Sequence, residues 1–142
     1  MVEDREYLFV YGTLMKGCPA HDLMKGSTFV SRAITSERHT LYAITSPYGD
    51  RYPALLLNGG EHYVIGELYL VPPEVLERLD FYEGVNEGDY IRTKIRVRRL
   101  DIGKEVEAYV YAINPSLLET LISEGRAEPL VSLEGDKVVW KC

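Results

Sequence analysis

Short β-rich runs, each ended by a turn signal, fill most of this chain, and that pattern restricts it to a sheet-based fold with few helices. The first run, Tyr7-Leu8-Phe9-Val10-Tyr11, goes straight into Gly12-Thr13-Leu14. Further strands are expected over residues 28–34, 38–44, 52–57, 63–71, 90–99, 104–112 and 137–140, with a polar segment at 20–25 and a loop at 46–50. Asn58-Gly59-Gly60 predicts a hairpin joining 52–57 to 63–71, because the primed turns need positive φ. Asp101-Ile102-Gly103 predicts a second, between 90–99 and 104–112.

Two segments read as helices instead. Pro73 suits a first helical position, Val75, Leu76 and Leu79 form an apolar stripe, and Gly84 is a stop, which puts Glu83 at the last turn. Asn114 is an N-cap followed by Pro115, with Leu117, Leu118, Leu121 and Ile122 as the stripe and Gly125 as the end. Many strands with so few helices indicate α+β architecture, the sheet curling into a small barrel. No linker or repeat interrupts the 142 residues, so residues 1–142 are read as a single domain.

The formal charge of -6 argues against a broad nucleic-acid footprint, which needs a basic face. Arg92, Lys94, Arg96 and Arg98 do share one face of a strand, yet Glu105 and Glu107 across the predicted hairpin can pair with them. No apolar run reaches spanning length and the first residues are too acidic for a signal peptide, so a cytoplasmic protein with no membrane partner is expected. The chain has no glutamine and only Asn58, Asn86 and Asn114 as asparagines, a depletion of thermolabile amides that points to a thermophilic source. Cys18 and Cys142 lack zinc or redox-pair spacing, so two free thiols are expected, with an intracellular disulfide more admissible if the source is thermophilic.

Most catalytic signatures are missing. There is no Gly-x-Ser-x-Gly elbow, no Gly-x-x-x-x-Gly-Lys and no His-Glu-x-x-His, and His21, His39 and His62 read as isolated surface or loop histidines. Cys18 has no histidine spaced to activate it. Two carboxylates remain as candidates. Glu83, in Leu79-Asp80-Phe81-Tyr82-Glu83-Gly84, sits among apolar neighbours at the negative end of a helix, and both desolvation and the dipole would raise its pKa toward the range a proton shuttle needs. Glu67, in Gly66-Glu67-Leu68-Tyr69, could point inward or pair with an arginine. The turn at Gly12-Thr13 exposes main-chain N–H groups that can hold a carboxylate or an oxyanion.

Val10-Tyr11-Gly12-Thr13-Leu14, Tyr52-Pro53-Ala54, Gly66-Glu67-Leu68-Tyr69, Leu79-Asp80 through Glu83-Gly84, and Tyr90-x-Arg92 occur here in one order. That ordered set resembles the γ-glutamylcyclotransferase-like superfamily over about residues 7–112, and is most similar to its branch of γ-glutamylamine cyclotransferases and plant avirulence-induced proteins. The resemblance implies a small mixed β-barrel with flanking short helices, and conversion of a small-molecule γ-glutamyl amine or amide into 5-oxoproline and a free amine. It implies no cofactor and no metal. Main-chain groups of Tyr11, Gly12, Thr13 and Leu14 would hold the glutamyl moiety, and Glu83 would be the catalytic acid/base. A catalytically inactive module binding a small carboxylate ligand is the alternative, and a monomer or homodimer is expected. The chain departs from the family at Val85-Asn86-Glu87-Gly88-Asp89, where two added acids beside the site would favour cationic leaving amines.

Overall fold

The structure, a computed structural model, describes residues 4–130 and 135–142. Among them the elements run β1 (Glu6–Val10), a 3-10 helix (His21–Met24), β2 (Thr28–Thr35), β3 (Thr40–Thr45), β4 (Arg51–Leu56), β5 (Tyr63–Val71), α1 (Pro73–Tyr82), β6 (Tyr90–Arg99), β7 (Glu105–Ile113), α2 (Pro115–Ser123), β8 (Ala127–Pro129) and β9 (Lys137–Val139). Alternate side chains of β1 enter two different cores. Leu8 and Val10 pack with Met24, Val75, Leu76 and Leu79, whereas Phe9 joins Ala33, Val64, Leu68 and Val110. A strand covered on both faces needs no polar alternation, and the first run is apolar throughout for that reason.

β1 lies antiparallel to β5 on one side and parallel to β7 on the other. The ring continues from β7 to β6, from β6 to β2 and from β2 back to β5, so five strands close into the expected mixed barrel. Closure leaves these strands without a free edge. The 90–99 and 104–112 hairpin forms as read. Arg96 faces Glu107 in the register and pairs with Glu105 and Glu37, and Lys94 pairs with Glu6, so much of the basic row is a neutralised outer surface.

The Asn58-Gly59-Gly60 hairpin does not form. Asn58 and Gly59 have the positive φ that the dipeptide demands, 76° and 67°. Yet β4 pairs back onto β3 across the 46–50 segment, and β5 leaves for the barrel. Leu55 and Val64 enter one core from two different sheets, and a turn fixes only local direction. Gly60 lets the chain cross directly over the His39 main chain, where a Cβ would collide with the backbone. His39 and His62 exchange main-chain hydrogen bonds of 2.8 Å at that crossing and are buried, at 3% and 4% exposure, contrary to the surface placement expected of them.

β3, β4 and the unforeseen β8 form a second sheet, and β9 adds to β5 in parallel. Cys18 and Cys142 are joined in a disulfide, with Cα atoms 5.4 Å apart, rather than standing as two free thiols. Sequence spacing could not reveal this pair, because the tertiary fold brings together residues 124 apart.

Candidate functional site

The loop that leaves β1 is built on a close approach rather than on an unusual backbone. Gly12 lies outside the positive-φ region, but any Cβ there would enter the Pro53 ring of β4. Glycine at 12 and proline at 53 are therefore two sides of one contact. Tyr11 locks the same corner: its hydroxyl donates to the Tyr111 carbonyl at 2.7 Å and accepts from the Leu55 N–H at 3.2 Å. Beyond it, Met15 N–H donates to Gly12 O, Ala20 N–H to Thr13 O, and Lys16 N–H to Glu67 Oε1 at 3.0 Å. None of these bonds takes up the N–H of Gly12, Thr13 or Leu14.

Among the described residues Glu67 forms no ion pair with an arginine, although Arg32 lies opposite it in the β2–β5 register. Its Oε1 also accepts from the Tyr69 hydroxyl at 2.8 Å, so the carboxylate braces the loop from β5. His21 braces it from the other side, with Nδ1 2.8 Å from the Leu14 carbonyl. Cys18 is consumed by its disulfide and offers no thiolate.

Glu83 is the C-cap of α1, its N–H bonded to Leu79 O at 2.8 Å. Gly84 follows at φ 66°, Gly84 N–H donates to Phe81 O and Val85 N–H to Asp80 O, which is a Schellman stop. The stop reverses the chain at one defined residue and aims Glu83 toward the loop. Of its expected apolar neighbours, Leu79 is buried, whereas Phe81 is 85% exposed. Burial pushes the Glu83 carboxyl up from 4.5 to about 7.

A small cavity brings these pieces together. Tyr11, Gly12, Thr13 and Leu14 line one wall and Glu83 another, with Pro53 and Tyr111 between them. The Thr13 and Tyr82 hydroxyls are 3.4 Å apart, on the wall of the outer cavity described below. Tyr111 carries no periodic or motif signal and was not anticipated. It is fixed from behind, donating to Asp80 Oδ1 at 2.7 Å, and Arg92 holds Asp80 in turn through Nη2 to Oδ2 at 3.2 Å. The Leu79-Asp80 and Tyr90-x-Arg92 fragments meet in this support.

Thr13, Pro53 and Glu83 also border a larger, more open cavity on the outer side. Its remaining wall comes from Tyr52, Tyr82, Tyr90, Asp89, two leucines of α2 and Arg126. Burial holds the Tyr90 hydroxyl well above its ordinary range, so it stays protonated. Among the described residues, no three His, Cys, Asp or Glu side chains stand together as a metal site requires, and no helix is long and apolar enough to cross a membrane.

Comparison with known proteins matches residues 8–131 to the family described as gamma-glutamyl cyclotransferase, AIG2-like. A gamma-glutamylaminecyclotransferase of Rattus norvegicus is 36% identical over 118 residues, covering 75% of this chain and 76% of that protein. The gamma-L-glutamyl-butirosin B gamma-glutamyl cyclotransferase of Niallia circulans is 40% identical over 132 residues, covering 90% and 80%. The crystal structure of an AIG2-like protein from Mus musculus has the same fold, with a TM-score of 0.67 at 31% identity over 80% of this chain and 82% of that one.

Proposed function

This chain belongs to the gamma-glutamyl cyclotransferase, AIG2-like family, and from that premise we propose that the cavity between the β1 loop and Glu83 binds the glutamyl end of a γ-glutamyl amine or amide and that Glu83 carries the protons of its cyclisation. The products are 5-oxoproline and the free amine. The observation that carries the reading is a buried carboxyl, raised to about 7, across one small cavity from the loop at Gly12, Thr13 and Leu14, whose N–H groups make no hydrogen bond among the described residues.

At neutral pH the substrate α-nitrogen is an ammonium and has no lone pair. The Glu83 carboxylate takes one proton from it, and the freed amine attacks the γ-carbonyl carbon to close a five-membered ring. Main-chain groups of Tyr11, Gly12, Thr13 and Leu14 hold the glutamyl moiety while charge builds on the carbonyl oxygen. Glu83 then returns its proton to the leaving nitrogen as the old carbon–nitrogen bond breaks, takes the second proton from the new ring nitrogen and passes that one also to the departing amine. Over the whole reaction the α-nitrogen loses two protons and the leaving nitrogen gains two, so Glu83 ends as the carboxylate it began. A carboxyl titrating near neutrality populates both forms it needs. Ring closure within one bound molecule requires no enzyme nucleophile, because positioning supplies much of the acceleration.

Glu83→Gln should abolish 5-oxoproline release from a panel of γ-glutamyl amines while γ-glutamyl ligands still raise its Tm. The wild-type rate should fall on the acid side of about pH 7. Normal turnover by the variant would overturn the role of Glu83. Thermal stabilisation of the wild type with no product from any amine would make the cavity a binding module instead.

A further inference from the structure

The outer cavity has no task in the proton transfers, yet it opens from the same Glu83 and Thr13 that border the inner one. If the glutamyl part fills the inner cavity, as proposed above and on which this inference rests, the scissile bond lies beside Glu83 and the amine extends outward. Its surroundings are then defined. Tyr52, Tyr90, Leu117 and Leu121 provide ring faces and aliphatic wall, which suit a hydrocarbon stem.

Two charged side chains border that wall, and they are not equivalent. Arg126 is already engaged, its Nη1 3.1 Å from Glu124 Oε1 and its Nε donating to the Thr45 carbonyl at 3.0 Å. Its positive charge is balanced. Asp89 differs: its main chain bonds to Gly84 and Asn114, but its carboxylate has neither an ion pair nor a hydrogen bond among the described residues. The backbone holds it in place, since the Gly84 turn passes against the carboxylate closely enough that a Cβ there would touch Oδ2 at 2.6 Å. Glu87, the other added acid, is exposed as Asp89 is, but lies outside the cavity wall.

We propose that the outer cavity is the leaving-amine subsite and that Asp89 selects amines carrying a second positive charge at the far end of an apolar stem. An unpaired carboxylate beside tyrosine faces attracts an ammonium twice, by charge and through the ring quadrupoles. The same carboxylate repels a leaving group that ends in an acid.

The experiment compares the γ-glutamyl amide of 1,5-diaminopentane with that of n-pentylamine, which has the same stem without the terminal charge. The diamine compound should show the higher kcat/KM, mostly through KM, by ~5-fold, the range of a partly solvated ion pair. That preference should shrink as salt rises. Asp89→Asn should remove most of it, and Glu87→Gln should keep it. Turnover of both compounds without preference, or equal loss of preference in the two variants, would overturn the subsite alone. No 5-oxoproline from either compound would overturn the cyclotransferase reading together with it.

Discussion

Glu83 and Gly12 show how much a single position can carry. A carboxyl that ionises at about 7 in the folded protein and near 4.5 when unfolded keeps its proton in the native state over an interval where the unfolded chain loses it. Stability therefore falls as pH rises from about 4.5 to 7, and the ionised Glu83 costs up to about 3 kcal/mol above that interval. Glu83→Gln should accordingly be more stable than the wild type in urea titrations at pH 8, and indistinguishable from it at pH 4. An equal difference at both pH values would mean that the carboxyl is not held in a desolvating site. The expected result would make the proposed proton carrier a charge that costs the fold stability, a trade of stability for reactivity. Gly12 works by subtraction, giving Pro53 the volume that any side chain would occupy.

At the level of elements, the site depends on where α1 stops. The Schellman turn at Gly84 lets the helix end at Glu83 and sends the chain back along Asp89. Gly84→Ala places a Cβ at φ 66° and against the Asp89 carboxylate. The backbone penalty is about 1–2 kcal/mol. The domain should survive it, with a lowered Tm, but 5-oxoproline release should fall by more than the loss of folded protein accounts for, since Glu83 and Asp89 both shift. A rate that simply tracks the folded fraction would show that the turn stabilises without positioning. α2 repeats the device: Asn114 Oδ1 accepts from Ser116 N–H at 2.9 Å, Gly125 has φ 73°, and Arg126 N–H returns to Leu121 O. Both helices were legible in sequence because proline, asparagine and glycine act through local backbone geometry.

The whole molecule is tied by Cys18–Cys142, which links the segment after the β1 loop to the segment after β9. Constraining an unfolded chain over 124 residues is worth about 4–5 kcal/mol in the loop-entropy picture. Cys142→Ser should lower the Tm substantially, and a thiol reductant should lower the wild type to the same value without further effect on the variant. A Tm unchanged by either treatment would mean that the bond contributes nothing to the folded state. Trp140, 9% exposed in the same core as Leu8, Val10 and Leu79, anchors that segment even when the sulfurs part.

Local chemistry by itself determined the strands and helices, the glycine stops, the acid at the end of α1 and the ordered motifs of the family, because each is written in neighbouring residues. The partners of those strands were decided elsewhere. β4 turned back to β3 and β5 joined the barrel although the dipeptide between them had the φ values of a hairpin. The disulfide, the buried His39–His62 crossing, the Tyr111–Asp80–Arg92 support and the outer cavity all join residues distant in the chain. Such contacts follow from which surfaces can be buried together, a property of the packed molecule that no local pattern encodes.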